Sequence, residues 1–545
     1  MPNNTARRVG MRTELIGVLA AISLACIGLL HVLFTPRVHF LYDYGDSMVG
    51  PILYNALHSG DLFSWYTSPT LFIPEMAQYL AVTAMVPDAH WAIAITGVMN
   101  FVGIYLATRL LVNVGVPAVS RRGQVALAVT GLALFVGFGF LEVGSTGFAV
   151  LGHALQMFTL SYTLPYYSAT LIATLLTVAL AGLWLRPRSR AWRAWVGTAL
   201  VLTVGVTVTS NPLFIVWALV PVAAAFAWAL IRNIRDRPLL WRMLSFGVLA
   251  VAAAGLGMFG RKLLAQWIVT DGASYIHRHY EIETLKGYWH QIQAFASTPL
   301  GLVEAVLYAI LFVLIAVVTV LGLRERAPHR VLLAVYVGVT ALMTTVGTVL
   351  VGQAAPRYSL PALTFITVML PVFAWWWIPS LRRMQIPERA WRQASRVIAV
   401  VTVAVVVVTG IAVSNQRSEG AECLQSWIDE QDSAEPLVGA GGFWTSRRLA
   451  AYLPEQTILQ VYSNMPLLWQ NNGGSYLGRD RIDYVVVAPQ DDVGAEIPDH
   501  AEVFRSNFGE PASITQCTDF EIWDYRGTPG QALLSQAILG PFAPH

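Results

Sequence analysis

Long apolar runs separated by short polar connections fill the first 414 residues of the chain. Each run is about 20 residues long, which is enough to cross a hydrocarbon core of about 30 Å as an α-helix. The pattern therefore predicts a polytopic α-helical membrane protein with eleven spans. The predicted spans are 13–34, 90–112, 124–143, 167–185, 194–209, 212–231, 243–262, 300–323, 330–351, 360–379 and 397–414.

The remaining residues, 415–545, have the pattern of a small α/β domain. "EPLVGAGGFWTSRRLAAYLP" predicts a strand, a glycine turn and a helix, and "TILQVYS" and "RIDYVVVAP" predict buried strands because they are rich in β-branched residues. "HAEVFRS" and "FEIWDYR" alternate in polarity and predict half-buried strands. The sequence thus divides into a transmembrane domain, 1–414, and an α/β domain, 415–545.

Charge supports this division and orients it. Only 12% of the residues are charged, far below the usual share of a soluble domain. Of the 28 basic residues in 1–414, 21 lie at the N-terminus or in alternate connections, and the positive-inside rule places that side in the cytoplasm. The α/β domain has 7 basic and 18 acidic residues and falls on the opposite, extracytoplasmic side. The near absence of Lys, with only Lys262 and Lys286, and the Ala/Val-rich spans indicate a bacterial protein, so we expect it in the plasma membrane.

Three outer connections are long, namely 35–89, 144–166 and 263–299. The first contains "MAQYLAVTAMV", an apolar stretch too short to span, which predicts a helix lying in the membrane interface. Cys423 and Cys517 both fall in the outer domain, where oxidation is permitted, and we expect them to form a disulfide. Cys26 lies inside the first span and is expected to pack there.

Two carboxylates follow the end of the first span closely. Asp43 and Asp46 lie in "FLYDYGDSMVG", at the depth where a membrane protein meets both lipid and water. A carboxylate at that depth is unfavourable unless it binds a cation or transfers a proton. Asp61 and Asp88, in contrast, follow Gly or Pro and are explained as turn or cap residues.

The segment from Asp46 to Asp61, "DSMVGPILYNALHSGD", resembles the first outer loop of the GT-C superfamily of integral-membrane glycosyltransferases. In that loop an acidic residue after the first span is followed by a short helix, a Gly-Asp pair and an aromatic, proline-rich stretch, here "FSWYTSPTLFIPE". "APRYSLPAL", between spans 9 and 10, is similar to the "RYxxPAL" segment of many transferases that use lipid-linked sugars. The first loop departs from the commonest form, which has Asp-Glu where this chain has Asp46-Ser47, so Asp43 and Asp46 both remain candidates for the catalytic carboxylate.

The resemblance implies a glycosyltransferase of inverting type whose donor is a sugar on a polyprenyl phosphate, and whose acceptor is a glycan, lipid or protein of the cell envelope. Asp46 is the expected base, with Asp43 second. A divalent cation, Mg²⁺ or Mn²⁺, held by Asp43 and Asp46 is an option rather than a requirement. The expected donor-phosphate ligands are Arg357, Tyr358, Arg278, His277 and His279. The expected acceptor or sugar contacts are Trp65, Tyr66, His58 and Glu75.

Two other functions fit the same composition. A transporter or flippase of lipid-linked sugar binds near the bilayer midplane, often between two repeated halves. This chain has no evident internal repeat, and its spans carry almost no acidic residues apart from Glu142 and Glu304 near their ends. A non-catalytic glycan-binding protein of the same fold, using Trp444, Trp469 and Asn471, is the third reading. No nucleic-acid-binding or nucleotide-phosphate motif is present.

Overall fold

The computed structural model describes residues 4–60, 64–142, 157–164, 167–187, 189–269, 279–352, 356–382, 386–433, 435–462, 465–488 and 500–542. Within these ranges, side chains are described except at 4–9, 291, 294, 295, 356, 357 and 500.

Helices dominate the first 414 residues. In chain order the elements are α1 (Asn4–Leu33), α2 (Val38–Tyr42), α3 (Val49–His58), β1 (Trp65–Tyr66), α4 (Ile73–Thr83), α5 (Ala89–Gly115), α6 (Arg121–Gly139), α7 (Met157–Leu160), α8 (Ser168–Trp184), α9 (Arg190–Ser210), a π-helical turn (Ile215–Leu219) continuing into α10 (Val220–Arg232), α11 (Arg237–Leu263), α12 (Glu281–Ala296), α13 (Pro299–Arg324), α14 (Pro328–Leu350), α15 (Leu360–Trp377), α16 (Pro379–Arg382) and α17 (Glu388–Ser414).

Ten helices of the described chain are long and apolar enough to cross a membrane, so the protein is a multi-pass membrane protein. They correspond to ten of the eleven predicted spans. The predicted span 167–185 is the shorter apolar helix α8, of 17 residues. The short helix predicted from "MAQYLAVTAMV" corresponds to α4, of 11 residues, and its position in the membrane interface stays a prediction.

The helices of the bundle approach each other closely where small residues permit it. Gly131 of α6 faces the backbone of α15, and a Cβ at this position would overlap the carbonyl oxygen of Val368. Such contacts bury the helices' facing sides and leave apolar residues such as Val248 and Val313 exposed on the perimeter, as expected for surfaces covered by lipid.

The C-terminal part is an α/β domain, as predicted. Its elements are α18 (Glu419–Asp429), β2 (Val438–Gly442), α19 (Phe443–Tyr452), β3 (Thr457–Tyr462), β4 (Met465–Pro466), β5 (Asn471–Asn472), β6 (Tyr484–Val487), α20 (His500–Phe508), β7 (Ser513–Gln516), β8 (Glu521–Asp524) and α21 (Pro529–Leu539). Six strands form one mixed sheet in the order β4-β3-β2-β6-β8-β7, in which β2 pairs in parallel with both β3 and β6.

One predicted strand of this domain is wrong. "HAEVFRS" belongs to helix α20, not to a strand. Phe504 and Phe508 lie one helical turn apart and are both buried in the domain's core, so the helical period explains their spacing. Cys423 of α18 and Cys517, which follows β7, form a disulfide that closes a separation of 94 residues.

Candidate functional site

The turn between α2 and α3 carries Asp43 and Asp46. Asp43 ends α2, where its N–H donates to the carbonyl of His39 at 2.9 Å. The buried hydroxyl of Ser47 donates to the carbonyl of Phe40 at 2.6 Å, and the N–H of Val49 donates to the carbonyl of Asp46 at 3.3 Å. Ser47 thus closes the turn from inside, and Asp46 lies three residues before the start of α3.

The two carboxylates have different surroundings. Asp43 lies 2.6 Å from Nδ1 of His39, and its hydrogen bond raises the pKa of that imidazole. Asp46 is half-buried and its charge acts on a different group, the guanidinium of Arg447. Asp43 is therefore one half of a histidine–carboxylate pair, whereas Asp46 lies beside an arginine of the C-terminal domain.

Arg447, on α19, reaches from that domain into the first outer segment. Its Nε donates to the carbonyl of Gly45 at 2.8 Å, and its Nη1 donates to the carbonyls of Trp469 and Gln470, both at 3.1 Å. The residue is only 1% exposed, and its Nη2 has no hydrogen-bond partner in the described part of the chain. One buried side chain thus holds the residue before Asp46 and the segment before β5.

Burial lowers the pKa of Arg447 to about 10, and the nearby charge of Asp46 acts in the opposite direction. At neutral pH the guanidinium therefore remains charged. The C-terminal domain therefore supplies a buried positive charge close to Asp46.

Further contacts fix the C-terminal domain to the same segment. Tyr452 donates its hydroxyl hydrogen to the carbonyl of Tyr42 at 2.8 Å, and the rings of Tyr44 and Trp444 lie 4.5 Å apart. Asn55 of α3 donates to the carbonyl of Ala450 at 3.1 Å. In addition β1 and β5 pair antiparallel, with Trp65 opposite Asn472 and Tyr66 opposite Asn471. The turn that carries Asp46 is therefore covered by the domain on one side.

An apolar pocket of about 500 Å³ is lined in part by α3, the helix that follows this turn. Val49 and Leu53 of α3 contribute to its wall, together with Phe72 and Met76. Trp65, Leu264, Trp267 and Gln470 are also among its lining residues. Val49 is three residues after Asp46 in the sequence, and neither Asp43 nor Asp46 is among the residues that line the pocket. Its size and apolar walls are those of a small-molecule site.

The structure places the predicted aromatic and phosphate-binding residues as follows. Trp65 lines the apolar pocket, and the ring of Tyr66 packs over Gly473, where a Cβ would lie 2.6 Å from it. The ring of Tyr358 is 6.3 Å from that of Tyr167, which is 5.9 Å from the pocket residue Phe72. Tyr358, just before α15, is therefore connected to the pocket through two ring contacts, Tyr358–Tyr167 and Tyr167–Phe72.

Other predicted residues lie elsewhere or beyond description. His58 is at the exposed end of α3, where its Nδ1 donates to the carbonyl of Tyr54 at 2.9 Å. His279 is exposed, with a positive φ of 73°. His277 and Arg278 lie outside the described residues, and only the backbone of Arg357 is described, at the start of a 3₁₀ turn.

Glu75 is buried in α4, with 2% of its surface exposed. One carboxylate oxygen accepts the N–H of Ala169 at 3.1 Å, at the start of α8, and the other has no hydrogen-bond partner among the described residues. Burial raises the pKa of Glu75 to about 7. This carboxylate therefore joins α4 to α8 from within the protein.

No three His, Cys, Asp or Glu side chains within the described ranges are grouped so as to hold a metal ion. Asp43 has His39 as its neighbour, and Asp46 lies next to a cation of the protein itself. This arrangement supplies positive charge at the turn through Arg447, and a metal-binding role for the two carboxylates stays a prediction.

The sequence did not predict two groups of buried charged residues. The first is Arg447 with the carbonyls that it binds, because "TSRRLAAYL" has no local feature that distinguishes it from an ordinary helix. The second cluster consists of Arg37, Glu142 and Glu304, which are buried and interact electrostatically near the end of α1. Arg37 donates to the carbonyl of Gly139 at 2.9 Å, and Glu142 accepts the N–H of Phe158 at 2.7 Å. The acidic residues near the span ends were the available signal for this cluster.

No protein-family model and no curated protein sequence matches the chain. Among solved structures, the crystal structure of ArnT from Cupriavidus metallidurans in the apo state aligns over 100% of both chains, with 12% identity and a TM-score of 0.48. The structure of ArnT from the same organism bound to undecaprenyl phosphate aligns over 96% of this chain and 99% of that one, with 12% identity and a TM-score of 0.46. The chain is similar to these structures at that level, which by itself assigns it neither a family nor an activity.

Proposed function

We propose that the protein is a membrane glycosyltransferase that moves a sugar from a polyprenyl-phosphate donor to a cell-envelope glycan, lipid or protein on the outer face of the plasma membrane. The observation that carries this proposal is the position of Asp46: it precedes α3, and α3 forms a wall of an apolar pocket of about 500 Å³. The acceptor hydroxyl requires a proton acceptor, and the lipid chain of the donor requires an apolar surface.

In the proposed reaction Asp46 accepts the proton of the acceptor hydroxyl as that oxygen attacks the anomeric carbon of the donor. The bond between the anomeric carbon and the phosphate oxygen breaks, and the polyprenyl phosphate leaves with the bonding electron pair. A single displacement of this kind inverts the configuration of the sugar. Arg447 supports the step by holding the carbonyl of Gly45, the residue before Asp46.

The leaving phosphate needs a cation. Arg357 is the proposed ligand, because a guanidinium binds phosphate oxygens through paired N–H groups. Its neighbour Tyr358 is linked by ring contacts through Tyr167 to the pocket residue Phe72, which favours one shared outer site. His277, Arg278 and His279 are further proposed phosphate ligands from the connection before α12.

The isoprenoid chain is proposed to occupy the apolar pocket, with Trp65 at its wall and in position to contact the sugar. Apolar chains are excluded from water, and a pocket with walls of Leu, Ile, Phe and Met provides a matching surface. Tyr66, His58 and Glu75 remain proposed acceptor contacts; of these, Glu75 is enclosed by protein and His58 faces solvent.

The test is sugar transfer in proteoliposomes that contain the purified full-length protein and polyprenyl-phosphate sugars, with acceptors supplied as an envelope extract. Mass spectrometry of the envelope glycans of a deletion strain identifies which sugar and acceptor to supply. Asp46→Asn should abolish transfer while thermal midpoint and protein level stay unchanged. Asp432→Asn, which changes an exposed carboxylate of the C-terminal domain, is the matched control and should transfer normally.

Normal transfer by Asp46→Asn would exclude Asp46 as the base, and Asp43→Asn would then be tested in the same assay. If the wild type transfers nothing but moves lipid-linked sugar between leaflets, the protein is a transporter. If it does neither and retains labelled glycan, it is a glycan-binding protein.

A further inference from the structure

A second cavity lies at the opposite end of the bundle from Asp46. It has a volume of about 1450 Å³ and runs between α6 and α15, beside the beginning of α1. The C-terminal ends of α1 and α6 lie near Arg37, which donates to the carbonyl of Gly139. The cavity lies at the other, N-terminal ends of these two helices, where Gly10 and Arg121 line it. We call it the basic-end groove and define it by Arg121, Arg122, Leu127, Leu134, Trp375 and Arg382.

The mouth of the groove carries excess positive charge. Glu14 is held by Arg109 at 2.7 Å and shared with Arg121 at 3.5 Å. Glu388 is likewise shared, between Arg122 at 3.6 Å and Arg392 at 3.5 Å. The described residues that line the groove include three arginines, Arg121, Arg122 and Arg382, and no carboxylate. The Nε of Arg382 donates to the carbonyl of Trp375. The side chain of Arg121 lies against α1 at Gly10, where an added Cβ would overlap it.

Beyond this mouth the groove is apolar. On α6 the lining residues Gly123, Leu127, Thr130 and Leu134 recur every three or four positions and therefore share one face of the helix. Leu134 remains 42% exposed. From Arg122 to Leu134 the helix rises about 18 Å at 1.5 Å per residue, which is close to the thickness of one leaflet of a core of about 30 Å.

We propose that the basic-end groove is a binding site for one anionic phospholipid. The headgroup phosphate lies at Arg121 and Arg122, and an acyl chain lies along the face of α6 that runs from Gly123 to Leu134. The arginines favour an anionic headgroup because the charges are opposite. The groove-lining face of α6 is about as long as one leaflet is thick, which matches the length of one phospholipid. Basic pockets between transmembrane helices on the positively charged side of a membrane protein favour such lipids. The site is independent of the proposed transfer reaction, which is assigned to the other face.

The experiment measures lipid retention by the full-length protein. The protein is exchanged into mixed micelles with phosphatidylglycerol or phosphatidylcholine, and bound lipid is counted by native mass spectrometry across a lipid titration. We expect phosphatidylglycerol to remain bound at concentrations where phosphatidylcholine dissociates. Equal retention of the two lipids by the wild type would overturn the proposal without the need for any variant.

The paired variant R121Q/R122Q should weaken phosphatidylglycerol binding roughly ten- to thirtyfold, since each basic residue near a phosphate is worth about 1 kcal/mol. R121K/R122K, which keeps the charges, should retain most of the affinity. R235Q/R237Q removes two exposed arginines of the connection between α10 and α11, outside the groove, and is the matched control. An equal loss in the control, or no loss in R121Q/R122Q, would show that the groove is not the site.

Discussion

The Nε of Arg447 donates a hydrogen bond to the carbonyl oxygen of Gly45 at 2.8 Å, across 402 positions of sequence. The same guanidinium holds the carbonyls of Trp469 and Gln470, so a single residue joins α19, the turn before α3 and the segment before β5. The geometry of Asp46 therefore depends on a residue of a different domain.

Replacing Arg447 with Leu should destabilise the contact between the C-terminal domain and the first outer segment. Three carbonyls would lose their donor in a buried setting, where each unsatisfied polar group costs about 1–3 kcal/mol. We expect a lower thermal midpoint and faster proteolysis between the two parts. Arg447→Lys should recover part of the stability because it keeps the positive charge. Its single ammonium group cannot reproduce the hydrogen bonds that the guanidinium makes to both Gly45 and the segment 469–470.

Arg479→Leu serves as the control for this prediction, because Arg479 is an exposed arginine of the same domain. If Arg447→Leu and Arg479→Leu behave alike in thermal and proteolytic assays, the buried guanidinium does not hold the two parts together.

Glu75 should make stability depend on pH. Burial raises its pKa from 4.5 to about 7. Below about pH 4.5 the carboxyl is protonated in both the folded and the unfolded chain, and between that pH and about 7 only the folded chain retains the proton. The folded state therefore loses stability as the pH rises through this window, by about 3 kcal/mol in total at 1.36 kcal/mol per unit.

Glu75→Gln should remove this contribution. We expect its thermal midpoint to exceed that of the wild type at pH 8 and to approach it at pH 5. Parallel curves for the two proteins between pH 5 and 8 would rule out Glu75 as the titrating group.

The Cys423–Cys517 disulfide should stabilise the C-terminal domain. It closes a separation of 94 residues, and loss of a crosslink over a loop of that order costs about 2–5 kcal/mol. We expect the double change Cys423→Ser/Cys517→Ser to lower the thermal midpoint of the domain in the absence of reductant. Cys26→Ala, at a buried free thiol, is the control that leaves the crosslink intact. A reductant should shift the midpoint of the control but not of the double variant, and the opposite pattern would contradict the assignment.

Gly131 should be intolerant of any side chain. A Cβ there overlaps the backbone carbonyl of Val368, so Gly131→Ala must separate α6 from α15. We expect lower yield of folded protein and a lower thermal midpoint. Gly137→Ala, on the same helix with nothing within 4 Å of the added Cβ, should be neutral or slightly stabilising. Equal behaviour of the two variants would contradict the close crossing.

The membrane bundle was predictable because each span is encoded locally. Some 20 consecutive apolar residues can satisfy their backbone groups only as a helix, whatever lies elsewhere in the chain. The short helix α4 followed from the same argument, since 11 residues cannot span. The strand predicted for "HAEVFRS" was wrong because seven residues are too few to distinguish the two-residue period of a strand from the roughly 3.6-residue period of a helix. Phe504 and Phe508, four residues apart and both buried, fit the helix.

The candidate site was only partly predictable. Asp43 and Asp46 were noticeable because carboxylates at that depth are unfavourable without a role. The difference between their surroundings was not predictable from the sequence. Asp43 pairs with His39, four residues away along the chain, whereas the arginine near Asp46, Arg447, is brought there only by the tertiary fold. Similarly Arg37, Glu142 and Glu304 come from three separate segments, and their contact is a property of the bundle.

The pairing of β1 with β5 has a consequence for biosynthesis. Trp65 and Tyr66 are synthesised early, whereas Asn471 and Asn472 follow all the candidate membrane spans of the described chain. During that interval β1 has no partner strand, and the turn at Asp46 lacks its covering helix α19. A newly made chain therefore completes the surroundings of Asp46 only when its C-terminal domain has been synthesised, and a ribosome that stalls before α19 leaves that turn uncovered.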